Sequence, residues 1–253
     1  MSQSDFATAV PALDKTVLIL DYLGTQGFAT FSQMVSALNL PKSTLSRQLD
    51  SLLQHGLIRR QGERYALGLR LYQLGQSAYA HYDLKEVAAP FLAKLRDSTG
   101  LTCHLGILEG LQPVYLAKLE SPYTVIVRSV VGKRLPIHST ALGKVLLAFS
   151  SPQLSERIIA ARMPFERFTA HTLTDKDALL RELDKVREQG FACDAEEDNE
   201  GVVCYAVPVW RRGHEIAAAI SVTGVKAQYK DLPFLELLSK LQQCAQEISA
   251  TLS

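Results

Sequence analysis

Six side chains able to carry charge or hydrogen-bond crowd one short stretch: Lys42, Ser43, Thr44, Ser46, Arg47 and Gln48. Ser43 and Arg47 are four apart, as are Lys42 and Ser46, so on a helix these pairs project from neighbouring strips of one surface. A surface of this composition can read base edges through its guanidinium and amide and hold phosphates through its hydroxyls and ammonium. Exposed helix faces are polar in general, so the cluster by itself fits a plain solvated face equally well. Arg59, Arg60 and Arg64 follow closely, on a segment placed to grip flanking phosphates. From Leu40 to Arg70 the basic residues Lys42, Arg47, Arg59, Arg60, Arg64 and Arg70 face only the acids Asp50 and Glu63. Residues 194–200 invert this balance, with Asp194, Glu196, Glu197, Asp198 and Glu200 and no base. The net charge of +1 over 253 residues therefore hides a basic patch and an acidic one, the distribution of a protein with two functions.

Other reactive residues point to less. His138 and Ser139 are adjacent, but adjacency in sequence is not the geometry of a nucleophile and its base. Gly143-Lys144-Val145 resembles part of a phosphate loop, yet His138 stands where its first glycine belongs and no Ser or Thr follows the lysine. The acidic run lacks the alternating order of a calcium loop, which leaves a solvated loop with Asp194 as its one inward residue. The four cysteines, Cys103, Cys193, Cys204 and Cys244, show no metal-ligand spacing and suit the reduced thiols of a cytoplasm. These observations predict no enzyme, no cofactor and no metal. Nor is a membrane partner expected, because the apolar runs fall far short of the roughly 20 residues that cross a bilayer. The first residues lack the basic and apolar segments of a secretion signal. His104, on an apolar segment, reads as a paired core histidine before it reads as a pocket residue.

The elements that must position these residues follow from periodicity. Leu13, Thr16, Val17, Leu20 and Leu23 predict a first helix ending at Gly24. Met34, Val35 and Leu38 predict a short second helix, broken by Asn39-Leu40-Pro41. Leu45, Leu49, Leu52 and Leu53 form the stripe of a third, capped near Gly56. Short helix, turn and longer helix make a helix-turn-helix. Residues 57–60 and 64–67, joined by a turn at Gln61-Gly62-Glu63, predict a basic hairpin, or wing. Leu71, Leu74 and Ala78 continue at helical spacing, with Tyr72 and Tyr79 a heptad apart, up to Tyr82. A new helix begins at Asp83.

Beyond it, Leu101, Cys103, Leu105 and Ile107 alternate with Thr102, His104 and Gly106, which predicts a half-buried strand. Further strands are expected at 114–119, 125–131, 202–210 and 216–223, and helices at 141–149, 153–161 and 175–189, with a terminal helix of about twenty residues by pattern. This is an α+β domain with a mainly antiparallel sheet. Ala217, Ala219, Ser221 and Thr223 share one face of their strand, and Cys204 shares parity with Val202 and Ala206. Such a face of small residues suits either a ligand or a helix packed tightly over alanines.

Leu13-Asp14-Lys15, Leu40-Pro41-Lys42-Ser43-Thr44-Leu45-Ser46-Arg47 and Arg64-Tyr65-Ala66-Leu67-Gly68 resemble the N-terminal motifs of the IclR family of transcriptional regulators. Gly132, Pro136, His138-Ser139-Thr140-Ala141-Leu142-Gly143-Lys144, Gly190, Asp194-Ala195-Glu196-Glu197, Gly201 and Ala206-Val207-Pro208 resemble the effector domain of the same family. The resemblance implies a winged helix-turn-helix over residues 1–67, a linker helix over 68–82 and a GAF-like effector-binding domain over 83–253. It implies contacts to double-stranded operator DNA from Lys15, Lys42, Ser43, Thr44, Ser46, Arg47, Gln48, Arg59, Arg60 and Arg64. Effector contacts carry over onto the loop at Thr140, Ala141 and Leu142 and onto Asp194, Cys204, Ser221 and Thr223.

The chemistry of these positions agrees with an organic acid. A helix beginning after Ser139-Thr140 offers free amides and a positive dipole end to a carboxylate. Asp194, when ionised, accepts a ligand hydroxyl and repels a carboxylate. Thr140 to Val145 and Ala206 to Trp210 are most similar to sugar-acid-responsive members; aromatic-acid sensors share the scaffold, and bulky Leu142 favours flatter ligands. Self-association as a dimer is expected for a palindromic operator, and a dimer of dimers matches the family. Repression or activation, the operator and the effector's identity are not written in these residues.

Overall fold

Periodic leucines become helices where they find a common core, and the computed structural model describes this for residues 10–79, 83–123, 130–211 and 215–252. The chain divides into two compact units, Met1–Tyr82 and Asp83–Ser253.

In the first unit, α1 (Pro11–Gln26) buries Ile19 and Leu23. It passes through Gly24, the expected stop, and ends at Gly27, whose positive φ of 74° only glycine adopts without strain and whose N–H bonds the Leu23 carbonyl. Strand β1 (Ala29–Thr30) was not legible in the sequence, being only two residues long. Helix α2 (Phe31–Leu38) starts with a reciprocal cap, the Gln33 N–H donating to Thr30 Oγ1 and the Thr30 N–H to Gln33 Oε1. It stops at left-handed Asn39. Helix α3 (Lys42–Gln54) buries Leu45, Leu49 and Leu52, each contributing about 2 kcal/mol of transfer free energy. Its end is a paired turn, Gly56 N–H to Leu53 O and Leu57 N–H to Leu52 O.

The hairpin is β2 (Ile58–Gln61) and β3 (Arg64–Leu67), in a sheet ordered β1-β3-β2. Gln61 pairs with Arg64, so the turn is the two residues Gly62 and Glu63, not three. Helix α4 (Leu69–Tyr79) follows. The expected continuation to Tyr82 lies outside the described residues.

In the second unit, α5 (Asp83–Thr99) precedes the hairpin β4 (Thr102–Glu109) and β5 (Gln112–Leu119). Then come α6 (Ala141–Ala148), α7 (Pro152–Arg162) and α8 (Lys176–Gln189). Strands β6 (Ala192–Ala195), β7 (Val202–Trp210) and β8 (Ile216–Val225) and helix α9 (Phe234–Thr251) complete the unit. The strand expected at 125–131 falls mostly outside the described residues; Val130 and Val131 lie in a turn.

The five strands form one antiparallel sheet, β5-β4-β8-β7-β6. Helix α6 packs on Ala192, Ala206 and Ala219 of one face, with α7 and α8 outside it. Helices α5 and α9 pack on β4, β7 and β8, where Cys103 lies near Cys244 and Arg96. Because helices cover both faces, β4 is buried on both faces from Thr102 to Gly106, not half-buried as the alternation suggested. Its polar positions, Thr102 and His104, are therefore interior.

Candidate effector site and nucleic-acid interface

The N-terminal half of α3 presents Lys42, Ser43, Ser46 and Arg47 to solvent, while Thr44 is half-buried. Gln48 is half-buried too, and its Oε1 accepts a 2.6 Å hydrogen bond from Thr16 Oγ1 of α1. The structure thus turns one expected DNA-reading amide inward, where it ties two helices together. Lys15 is half-buried on α1. On the hairpin, Arg59, Arg60 and Arg64 are all exposed, but register divides them. Arg59 and Arg64 share one face, with the Arg59 guanidinium 5.7 Å from the centre of the Phe28 ring. Arg60 lies on the other face over Tyr65, donating Nε–H to the Gly62 carbonyl at 2.8 Å. Arg70, which the sequence left without a role, donates to the His55 carbonyl at the end of α3.

In the second unit the strand register assembles the other group of residues. Thr102 pairs with Thr223, Thr223 with Cys204, and Cys204 with Asp194. The adjoining row is His104, Ser221, Ala206 and Ala192. Directly opposed residues share a face, so Asp194, Cys204, Thr223 and Ser221 come together on the face that α6 covers. His104, placed between Ser221 and Thr223, has Nδ1 3.5 Å from each hydroxyl and stacks on Tyr115 with ring centres 4.6 Å apart. It belongs to the same polar patch as well as to the core, which the sequence weighed as alternatives. Burial, with nearby Lys118, lowers its pKa to about 3, so the ring is neutral. Thr223 Oγ1 donates to Cys204 Sγ at 3.3 Å.

Helix α6 begins against this face. Thr140 is its N-cap, accepting the Gly143 N–H at 3.1 Å and donating to the Pro136 carbonyl at 2.7 Å. Its hydroxyl is therefore engaged in shaping the loop, and the Ala141 and Leu142 amides have no acceptor among the described residues. Leu142 packs over Gly106, where a Cβ would stand 3.3 Å from its Cδ1. The alanines thus serve helix packing, and the polar groups gather beyond them.

The acidic run is not the solvated loop it resembled. Glu197 is buried along with Asp194, and Asp198 is half-buried. Lys144, fully buried on α6, reaches Glu197 Oε1 at 2.5 Å, the Cys193 carbonyl at 2.8 Å and Glu182 at 3.5 Å. Ser139 Oγ donates to Asp198 Oδ1 at 2.9 Å, and Thr169 and Thr172 donate to the carbonyls of Glu196 and Glu197. No composition signal distinguishes such a run from a solvated one; partners some fifty positions away make the difference. Asp194 Oδ1 accepts the N–H groups of Glu197 and Asp198. Burial, reinforced by the charges of Glu197 and Asp198, raises the Asp194 pKa to about 7 despite those two hydrogen bonds.

Among the described residues no helix is long and apolar enough to cross a membrane, and no cluster of His, Cys, Asp and Glu is arranged to hold a metal.

Comparison with known proteins matches residues 76–250 to the bacterial transcriptional regulator IclR C-terminal domain and residues 12–62 to the IclR helix-turn-helix domain. The HTH-type transcriptional regulator XynR of Escherichia coli K12 is 35% identical over 246 residues, covering 96% of this chain and 97% of XynR. Among solved structures, the Thermotoga maritima IclR superposes with a TM-score of 0.75 at 28% identity, covering 96% of this chain and 98% of that one. An IclR homolog from Microbacterium hydrocarbonoxydans, solved with 4-hydroxybenzoate, gives a TM-score of 0.74 at 26% identity over 89% of this chain and 91% of its own. With both domains matched and a relative aligned over nearly its full length, the chain belongs to the IclR family of DNA-binding bacterial transcriptional regulators, a family of regulators and not of enzymes.

Proposed function

We propose that this regulator's hold on its operator is controlled by a small carboxylic acid bound in the second unit. The observation that carries this reading is the convergence of Asp194, Cys204, Ser221 and Thr223 on one sheet face beneath a helix start whose first two amides find no acceptor among the described residues. The amides of Ala141 and Leu142 suit the carboxylate, and the hydroxyls of Ser221 and Thr223 suit the rest of a hydroxy or keto acid. Sugar acids are the class favoured by the motifs, and the 4-hydroxybenzoate held by the Microbacterium relative makes aromatic acids the second class to try.

In the first unit, Lys42, Ser43, Thr44, Ser46 and Arg47 read the operator, with Lys15, Arg59, Arg60 and Arg64 on phosphates and Gln48 contributing through its free amide NH2. Two copies bind a palindromic site; exposed Leu69, Tyr72 and Leu74 on α4 support such pairing. The protein works in the cytoplasm, with its DNA. The effector shifts operator affinity only by as much as it distinguishes the two states of the protein.

A panel of sugar acids, short keto and hydroxy acids and aromatic acids tests the reading by thermal shift and by operator binding. An acid at about 100 times its Kd stabilises the fold by roughly 2.7 kcal/mol. The reading holds if one acid does so, changes operator affinity and loses both effects in Asp194→Ala. A domain that only joins copies is the competing reading, favoured by the internal bonds of Thr223 to Cys204 and of His104 to both hydroxyls. A panel without effect on either measurement selects it.

A further inference from the structure

Among the described residues no cation pairs with the carboxyl at the centre of the candidate site. Asp194 is buried and makes no ion pair among the described residues; its Oδ1 accepts two backbone amides, and the Cys204 thiol also hydrogen-bonds its side chain. Its own loop brings Glu197 and Asp198 toward it. From β7 it meets the Cys204 thiol, whose pKa burial raises with Asp194 adding to the shift. From β5 it meets the phenol of Tyr115, likewise shifted upward, and from β4 and β8 come neutral His104 and the hydroxyls of Ser221 and Thr223. The buried cation on α6, Lys144, is already shared by Glu197, Glu182 and the Cys193 carbonyl. The α6 amides offer only partial charge.

A carboxylate effector would therefore bring a further negative charge into the buried region around Asp194, an arrangement in which one of two neighbouring carboxyls takes a proton. We propose that Asp194 takes up a proton from solvent as a carboxylate effector binds, so that effector and proton enter the site together. In the neutral form Oδ2 becomes a donor and can hydrogen-bond the acid it would otherwise repel. The free protein already holds this carboxyl near the edge of protonation at neutral pH, which keeps the uptake small in cost. Cell pH then becomes a second input: the same effector concentration acts less as pH rises above neutrality. This inference rests on the carboxylic-acid reading above and specifies how the site accepts such a ligand.

Calorimetric titration of the full chain with D-gluconate, pyruvate and 4-hydroxybenzoate tests it, each in phosphate and in Tris at about pH 8, with Kd followed across neutral pH. For any acid that binds, the heats in the two buffers should differ by the ionisation heat of a captured proton, and Kd should climb by up to about tenfold per pH unit above neutrality. Asp194→Asn, which mimics the protonated carboxyl, should abolish both the buffer difference and the pH dependence. Equal heats in the two buffers, or affinity that rises with pH, would overturn the proposal while leaving the carboxylic-acid reading intact. If none of the three acids binds the wild type at any pH, that reading fails and the proposal falls with it.

Discussion

Lys144 Nζ lies 2.5 Å from Glu197 Oε1, joining α6 to the loop after β6 through an ammonium with no solvent exposure. Glu197 Oε2, on the same carboxylate, is buried without a hydrogen-bond partner among the described residues. The pair therefore fixes the distance between the effector loop and the Asp194 strand, and it is also a point of vulnerability, since removing one member leaves the other charged and buried. Lys144→Ala should cost roughly 3–5 kcal/mol of unfolding free energy, whereas Lys144→Met combined with Glu197→Leu should cost much less. Denaturant titration of the three proteins checks this, and equal losses would show that packing rather than charge is responsible.

Arg47 and Gln48 are neighbours with different fates. Arg47→Ala should weaken specific operator binding by about 1–3 kcal/mol with the fold unchanged, as a base-contacting residue would. Gln48→Ala removes the partner of Thr16 and should lower stability by about 1 kcal/mol in addition to losing the amide's share of operator contact. Electrophoretic mobility shift and thermal unfolding on both variants separate the two effects.

Arg64→Ala should weaken binding evenly across DNA sequences and reduce the salt slope of the association constant by about 1, the mark of a lost phosphate contact. Arg60, bonded to the Gly62 carbonyl and stacked on Tyr65, should lower hairpin stability as well when replaced. An unchanged salt slope in Arg64→Ala would remove that arginine from the interface.

Gly68 follows the hairpin where its chain crosses the end of α3, and a Cβ there would stand 2.1 Å from the Gly56 carbonyl oxygen. The Gly68 N–H also bonds the Leu57 carbonyl, so neither backbone can yield cheaply. Gly68→Ala should destabilise the first unit by an amount at the upper end of the usual range, about 3 kcal/mol. Thermal unfolding of the first unit's signal reads it out, and a neutral result would mean that the two segments part easily.

Stability should depend on pH through two buried groups of opposite sign. Asp194 rises from 3.8 to about 7 on folding, so within that window the folded state binds more protons than the unfolded state, and stability falls as pH rises. His104 drops from 6.5 to about 3, so its contribution is lost as pH falls through that range. Asp194→Asn isolates the first effect. Its advantage over the wild type should be absent near pH 4 and reach the order of a few kcal/mol by about pH 8. A constant difference across pH would show that the carboxyl is charged throughout.

Spacing within one element was legible from the chain alone. The leucine stripe of α3, the bounds of β7 and the basic hairpin follow from repeats of three, four or two residues, because local geometry alone decides which side chains share a face. Helix ends shifted by one residue elsewhere, and by three at the first helix, which ends at Gly27 in place of Gly24, two glycines that sequence spacing alone does not separate. The candidate effector residues were proposed from family resemblance, not from periodicity. Strand β6 carries Asp194 but has four residues, too few to show alternation, and it exists because β7 offers it an edge. The inward turn of Gln48, the second buried face of β4 and the capture of Glu197 by Lys144 likewise depend on partners distant in sequence. The same is true of the charge state of Asp194, since a carboxyl's pKa is set by the water it loses and the charges it gains, and both are properties of the assembled sheet and loop.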